Sequence, residues 1–425
     1  MAHMRRRASG LRRATVAALA SALVLLLAAC TSTAGSTHLP DQSQSAFPSD
    51  VSTRLKSAVT DAMKLSGASA GLAGVWAPWA GSWTAGLGTT TLDGSRPVTA
   101  GMTFRIAQNT MPMTCTVLLA LVDKGSVELD DPLTRYVPGL VGVDGVTLRE
   151  LCQNTSGIGD YLGQLNPIFI TNPTRIWPPL ELASDGLATQ RLGTPGEKLG
   201  VSMTNYILLG MALENATGQS WQSLYSTYIF GKLGMSSTSL PSSSQLTVPG
   251  AHPAGYSAGL DAAGAFVCSP MRDVTRLSPS MGWTASGVVS NVPDLKAFAQ
   301  ALATGSLLSQ KSADAQAQAL PNGSDWQKYG LGMQLVGPLR GYAGAIPGYL
   351  SAMYSDPSSG LTIVVALNNS TPGPLFAQLL AQRLASIVSK APAEQKGAKV
   401  VASLPWSEAQ MVDSMTKSAP CPLKK

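Results

Sequence analysis

The chain has 425 residues, 44% of them hydrophobic and 13% charged, with 30 lysines and arginines against 24 acidic residues. Such a length and apolar share exclude a disordered polymer and supply an ample core. The formal charge of +6 overstates any affinity for polyanions: five arginines crowd into the first 13 residues, and without them about 25 basic groups face 24 acidic ones. No basic patch interleaved with aromatics is present, so a nucleic-acid partner is not expected.

In chain order, residues 1–29 begin basic and continue into ATVAALASALVLLLAA, too short for a comfortable membrane span. The run ends LAAC, which resembles a bacterial lipobox. A lipoprotein signal peptide is therefore expected, with Cys30 as the lipidated first residue of a chain anchored on the extracytoplasmic face of the cell membrane. Residues 30–50 are small and polar after the cysteine and read as a tether. From residue 51, Val51, Leu55, Val59, Met63 and Leu65 fall roughly on one helical face. AGLAGVWAPWAGSWTAGLGTTTL then reads as a hairpin.

Residues 111–281 read as mostly helical, with long Pro/Gly/Ser loops. YGLGMQLVG, LSAMYSD and LTIVVALNNS are strand-like, with DPSSG as a turn. LFAQLLAQRLASIV is an amphipathic helix. The expected fold is α/β (α+β): an antiparallel sheet from about 51–110 and 282–390, flanked by helices, with an inserted helical part over about 111–281. Residues 391–425 read as a C-terminal appendage to this 51–390 domain.

Besides Cys30, the cysteines are Cys115, Cys152, Cys268 and Cys421. Four allow three pairings, and disulfides are permitted outside the cytoplasm; buried unpaired thiols are equally compatible with the apolar surroundings of Cys115 and Cys152. The histidines are His3, His38 and His252. They cannot build a multi-histidine zinc site, and the thiols lack zinc-ligand spacing, so neither metal nor cofactor is expected. His252 stands in the Pro/Gly-rich PGAHPAGY and reads as surface, not as the base of a Ser-His-Asp triad.

Several segments carry more. FRI at Phe104–Ile106 precedes a helix ending LLALVDKGSVELDDPLTRYVP. VTLRELCQNTSGIGDY, TPGEKLGVSMTNYILLGMALENATGQSW, SGVVSNVPDLKAFAQAL, YGLGMQLVG and GYAGAIPGYLSAMYSDPSSGLTIVVALNN follow. Their order and spacing resemble the serine β-lactamase and penicillin-binding-protein-like superfamily, nearest its class C β-lactamase, DD-peptidase and esterase branch, over roughly Val51 to Lys390. The resemblance implies a β-lactamase/DD-peptidase-like fold. It also implies a cleft with a Ser and a Lys three residues later, a Tyr-x-Asn loop, and a His/Lys-x-Gly strand whose backbone N–H helps bind an oxyanion.

At those positions the chain departs from the pattern. The Ser falls on Gln108 and the Lys on Met111; a carboxamide is no nucleophile and a thioether no general base. Pro112 disfavours helical geometry at Met111. The Tyr and Asn fall on Val201 and Met203, with Ser202 between. The strand motif is Tyr342, Ala343, Gly344, its phenol expected near the ordinary pKa of about 10. The His of the family's THTSG segment is Asn154. Gln108, Met111, Asn154, Val201, Ser202, Met203, Tyr342, Ala343 and Gly344 are thus expected to line a cleft without catalytic residues.

The reading that follows is a catalytically inactive cell-envelope lipoprotein serving as a binding or assembly module, with a peptide, a lipid or a protein as partner. In it, Met and Tyr side chains fill the vacated floor. The alternative is an active serine-hydrolase-type enzyme with an unrecognised nucleophile, for which Thr110, Ser202 and Cys115 are the stand-ins. A stray SxxK, SMTK at Ser414–Lys417, lies in the tail without its framework.

Overall fold

The computed structural model describes residues 38–421 except 395, 396, 399 and 402. The expected signal peptide and Cys30 lie outside the described residues. Helix α1 (Ser49–Ser66) buries Val51, Leu55, Val59 and Met63 and stops at Gly67, whose φ of 70° is open to glycine without Cβ strain. The chain continues through β1 (Ala70–Ala77), β2 (Gly81–Gly88), β3 (Phe104–Arg105), α2 (Thr110–Asp123), α3 (Leu148–Gln153), α4 (Leu162–Thr171) and α5 (Met203–Thr217). Then come β4 (Tyr256–Leu260), β5 (Phe266–Asp273), β6 (Val289–Ser290), α6 (Val292–Thr304), β7 (Leu320–Asn322), β8 (Ser324–Tyr329) and β9 (Gln334–Val336). β10 (Leu339–Ile346), β11 (Tyr349–Ser355), β12 (Thr362–Leu367), α7 (Pro374–Val388) and α8 (Glu408–Lys417) complete it.

Strands from both ends of the chain share one eight-stranded antiparallel sheet in the order β2-β1-β12-β11-β10-β9-β8-β7. The register sets Leu72 opposite Ala366, Val365 opposite Ala352, and Ala352 opposite Ala343. Because side chains alternate across a strand, β12 sends Val364 and Ala366 to one face and Ile363, Val365 and Leu367 to the other. The first face carries the helical block, including α2, α3, α5 and α6; the second carries α1, α7 and α8. Two cores therefore sandwich a sheet buried on both sides, which is why β1, β11 and β12 are buried throughout. No described helix is long and apolar enough to cross a membrane.

Four details differ from the sequence reading. Residues up to Asp50 are not all tether. Ser45 and Phe47 hydrogen-bond Ser82 of β2, and Phe47 is buried, so this stretch lies against the sheet edge. The middle segment contains a hairpin, β4–β5, turning at Asp261–Gly264. Met111 is helical despite Pro112, because proline near the start of a helix removes only an N–H that would lack an intrahelical partner. The appendage forms α8, which buries Met411 and Met415, while Trp406 Nε1 donates to Gln382 O at 3.0 Å. All four described cysteines are paired, Cys115 with Cys152 and Cys268 with Cys421.

Candidate functional site

Phe104 and Arg105 open the segment that leads to the site. Arg105 is buried, yet its guanidinium donates to the carbonyls of Leu246 (2.8 Å), Thr275 (3.1 Å) and Leu277 (3.0 Å), pinning a long loop. Desolvation by burial lowers its pKa; the three carbonyls all meet Nη2, while the buried Nε has no hydrogen-bond partner among the described residues. A 3₁₀ turn, Ala107–Asn109, then feeds α2. Asn109 Nδ2 donates to Ile106 O (3.0 Å) and Ser351 Oγ (2.8 Å), fastening the turn to β11. Ala107 adopts φ 53°, a left-handed conformation unfavourable for a residue with Cβ.

Gln108 is thereby held against β10. Its Oε1 accepts the Ala345 N–H at 2.7 Å, and its Nε2 lies 3.2 Å from Met203 Sδ. The approach is so close that a Cβ on Gly344 would stand 2.4 Å from Gln108 N. A strand N–H that could receive an oxyanion is thus occupied by the chain's own carboxamide.

Beneath it the floor is filled. Met111 is fully buried, with Sδ 3.2 Å from the Tyr342 hydroxyl. Tyr342 OH lies 3.1 Å from Tyr329 OH, and Tyr329 OH 3.0 Å from Tyr206 OH. Tyr206 donates to Cys152 O at 2.8 Å. One proton per phenol orients this chain, since Tyr206 has given its proton to the carbonyl and must accept from Tyr329. Sulfur is a weak acceptor, so the Tyr342 proton is best received by Tyr329. Burial pushes all three phenols well above 10, which corrects the ordinary value expected for Tyr342. None supplies a phenolate near neutral pH.

Asn154 ends α3 at φ 58° and is fully buried. Its Nδ2 donates to Tyr329 OH (2.8 Å), while Oδ1 accepts from Ser202 N (3.1 Å) and Asn205 Nδ2 (2.8 Å). Ser202 Oγ donates to Gly159 O at 2.9 Å. Asp160 accepts the backbone N–H groups of Leu162 and Met203, at the starts of α4 and α5; desolvation by burial raises its pKa despite these bonds.

Of the nine residues expected to line a cleft, Gln108 and Met203 do so, in an open cavity of about 400 Å³ shared with Leu162, Phe266, Met281 and Ile346. Met111, Asn154, Ser202 and Tyr342 are buried below it and form a plug. Gly344 abuts Gln108 on the strand that bounds the cavity. Ala343 belongs to the opposite core, since neighbours on a strand face opposite ways. Val201 is 48% exposed and lines no part of this cavity.

The three stand-in nucleophiles are engaged. Thr110 Oγ1 donates to Ala107 O (2.8 Å), Ser202 is bonded as above, and Cys115 is a disulfide. Ser414–Lys417 lies on α8 across the sheet, with Lys417 paired to Asp413. His252 Nδ1 sits 2.8 Å from Gly250 O in its surface loop. No group of three or more His, Cys, Asp or Glu among the described residues is placed to hold a metal ion.

Sequence reasoning missed the wall formed by Leu162 and Ile170 of α4 and by Leu260 and Phe266 of the hairpin. The available signal was YSAGL and AFVCSP flanking an Asp-x-x-Gly turn.

Comparison with known proteins agrees with the fold. The family model Beta-lactamase matches residues 55–386. Penicillin-binding protein 4* of Bacillus subtilis (strain 168) is 32% identical over 151 residues, 34% of this chain and 32% of its own length. D-alanyl-D-alanine-carboxypeptidase/endopeptidase AmpH of Escherichia coli (strain K12) is 34% identical over 141 residues, 32% of this chain and 36% of its own. The chain thus spans about a third of the length of these two relatives. A D-stereospecific amidohydrolase from Streptomyces sp. superposes with a TM-score of 0.67 at 26% identity, covering 76% of this chain and 95% of that one. The octameric penicillin-binding protein homologue from Pyrococcus abyssi gives 0.67 at 21% identity, covering 81% and 78%, and shares the fold. With a family model spanning most of its length and its framework segments in order, the chain belongs to the beta-lactamase family.

Proposed function

We propose that this protein is a non-catalytic member of the beta-lactamase family, held at the cell membrane through a lipidated Cys30 and serving as a ligand-binding module of the cell envelope. The observation that carries the reading is the Gln108 carboxamide accepting the Ala345 N–H at 2.7 Å. The group at the nucleophile's position fills the place an oxyanion would take. Met111 at the base's position is sealed under Tyr342. Acyl transfer needs a nucleophile, a proton acceptor and free oxyanion donors together, and none of the three stands here. The names of the relatives, a penicillin-binding protein and a D-alanyl-D-alanine carboxypeptidase, suggest a cell-envelope setting in which a non-reacting cleft can still bind.

The test is incubation of the purified mature protein with a fluorescent penicillin and, separately, a p-nitrophenyl ester, followed by intact-mass measurement. The expected result is an unchanged mass and ester cleavage at the buffer rate. A stable covalent adduct, or turnover, establishes the active hydrolase instead.

A further inference from the structure

The open cavity above Gln108 differs from an ordinary hydrolase cleft in its electrostatics. None of its lining side chains is an Asp, Glu, Lys, Arg or His. Moving a charged group into such a site without a counter-charge is costly, so a bare carboxylate or ammonium is disfavoured there. Several of the polar atoms present are already satisfied. Gln108 spans Ala345 N and Met203 Sδ. Thr371 Oγ1 accepts from Ala258 N (2.9 Å) and donates to Asn369 Oδ1 (2.6 Å). Ser370 Oγ accepts from Gly348 N at 3.1 Å. These groups do not demand a polar ligand.

The apolar part points the same way. Leu162, Ile170, Met203, Met281 and Ile346 line the cavity from the helices and from β10. Leu260 and Phe266, which face each other across the β4–β5 hairpin, also line it while remaining 44% and 49% exposed. Large apolar side chains left in water at the edge of an apolar cavity mark a place where a ligand covers them. The hairpin is held by Cys268–Cys421, which ties it to the residues just after α8. A volume of about 400 Å³ falls in the range of small-ligand sites, about 300–1,000 Å³.

From this uncharged lining, in which Gln108, Ser370 and Thr371 are engaged within the protein, and from the exposed apolar rim, we infer that the cavity binds an uncharged acyl chain, with the chain seated between Met203, Met281 and Ile346 and the β4–β5 hairpin lying over it. This rests on the cleft being a binding site, as proposed above, and adds the chemical class of its occupant. Shape and burial carry the affinity, and the absence of charge carries the selectivity.

The probes are monodecanoylglycerol, decanoate and decyltrimethylammonium, each below its aggregation concentration, with benzylpenicillin as an anionic comparison. Binding to the mature protein is read by isothermal titration calorimetry. Monodecanoylglycerol should bind at least tenfold more tightly than each of the other three. Leu260→Lys, at a half-exposed rim position, should weaken monodecanoylglycerol and strengthen decanoate, a reversal that misfolding cannot produce. Phe266→Asp should weaken monodecanoylglycerol at least tenfold, with thermal unfolding showing that the variant folds. Equal or tighter binding of decanoate, decyltrimethylammonium or benzylpenicillin overturns the inference. So does the absence of heat with all four probes, or unaltered selectivity in Leu260→Lys. Release of decanoate from monodecanoylglycerol overturns the non-catalytic reading and leaves the ligand class standing. Lack of binding together with lack of any adduct does the opposite.

Discussion

Asn154 combines a left-handed backbone with three side-chain hydrogen bonds, to Tyr329, Ser202 and Asn205. The first property suits asparagine among residues with a Cβ. The second makes it the junction between the tyrosine chain and the loop that precedes α5. Asn154→Ala leaves the Ser202 N–H and the Asn205 amide facing a methyl group inside the protein. Its cost should be about 2–4 kcal/mol of unfolding free energy, from unsatisfied buried partners and the worse left-handed residue. Urea denaturation followed by far-ultraviolet circular dichroism measures it. A loss below about 1 kcal/mol, the size of one ordinary hydrogen bond, would mean that the network relaxes around the gap. At this scale the sequence was informative about what is missing and poor about what replaces it. Side-chain chemistry alone disqualified Gln108 and Met111. The partners Ala345 and Tyr342 lie more than 200 positions away, and only the β10 register brings them into contact.

Helices α4 and α5 both begin on the carboxylate of Asp160, which takes the Leu162 and Met203 N–H groups. A carboxylate at a helix N-terminus is favourable, but this one is largely removed from water, and its pKa is raised. A raised folded-state pKa means that the folded protein holds this proton more tightly than the unfolded chain does. Stability from this group is therefore fully present below the ordinary carboxylate pKa of about 3.9, and declines as pH rises from there through the raised value. Asp160→Asn keeps an acceptor oxygen for the two N–H groups and removes the titration. Its stability relative to the parent should climb across that window and level off above it, in urea titrations from pH 4 to 8. A constant difference across the range would show that Asp160 does not titrate there. Element by element, the amphipathic α1 and the β1–β2 hairpin were legible, because the one buries a single face and the other pairs locally. α7 was legible as a helix, but it is buried all round from Phe376 to Val388 and not on one face as its amphipathic pattern implied. β4–β5 was not legible, since its exposed rim residues dilute the alternation that marks a strand, and β8, one strand in from the sheet edge, is mostly polar. The disulfide pairing was equally hidden: four cysteines allow three patterns, and the choice is made by tertiary distance.

The whole molecule walls its open cavity with α4 and the β4–β5 hairpin and brings three motif stretches together beside it, residues 107–111 before and within α2, 201–203 before α5, and 342–345 on β10. Their order in sequence made the fold legible, and the same anchors fixed which residues stand at the reactive positions. What no anchor could give was side-chain direction: Val201 turns to solvent, Ala343 to the opposite core, and Met111 downward into the plug. This bears on whether the chemistry can be restored. Gln108→Ser with Met111→Lys returns a hydroxyl and an amine three residues apart and releases the Ala345 N–H for an oxyanion. Even so, Val201 presents no phenol to the leaving group, and Met203 offers no amide to hold a substrate carbonyl. Loss of positioned proton transfer alone is worth about 10²–10⁴ in rate. The introduced amine would also be desolvated beside Tyr342, a neutral phenol that gives it no counter-charge. The double variant, shown to be folded by its thermal transition, should therefore cleave p-nitrophenyl acetate no faster than the parent and form no penicilloyl adduct by intact mass. Turnover well above the parent would mean that a Ser–Lys pair and one backbone N–H suffice on this scaffold, so that the losses at Val201 and Met203 are not what silences it.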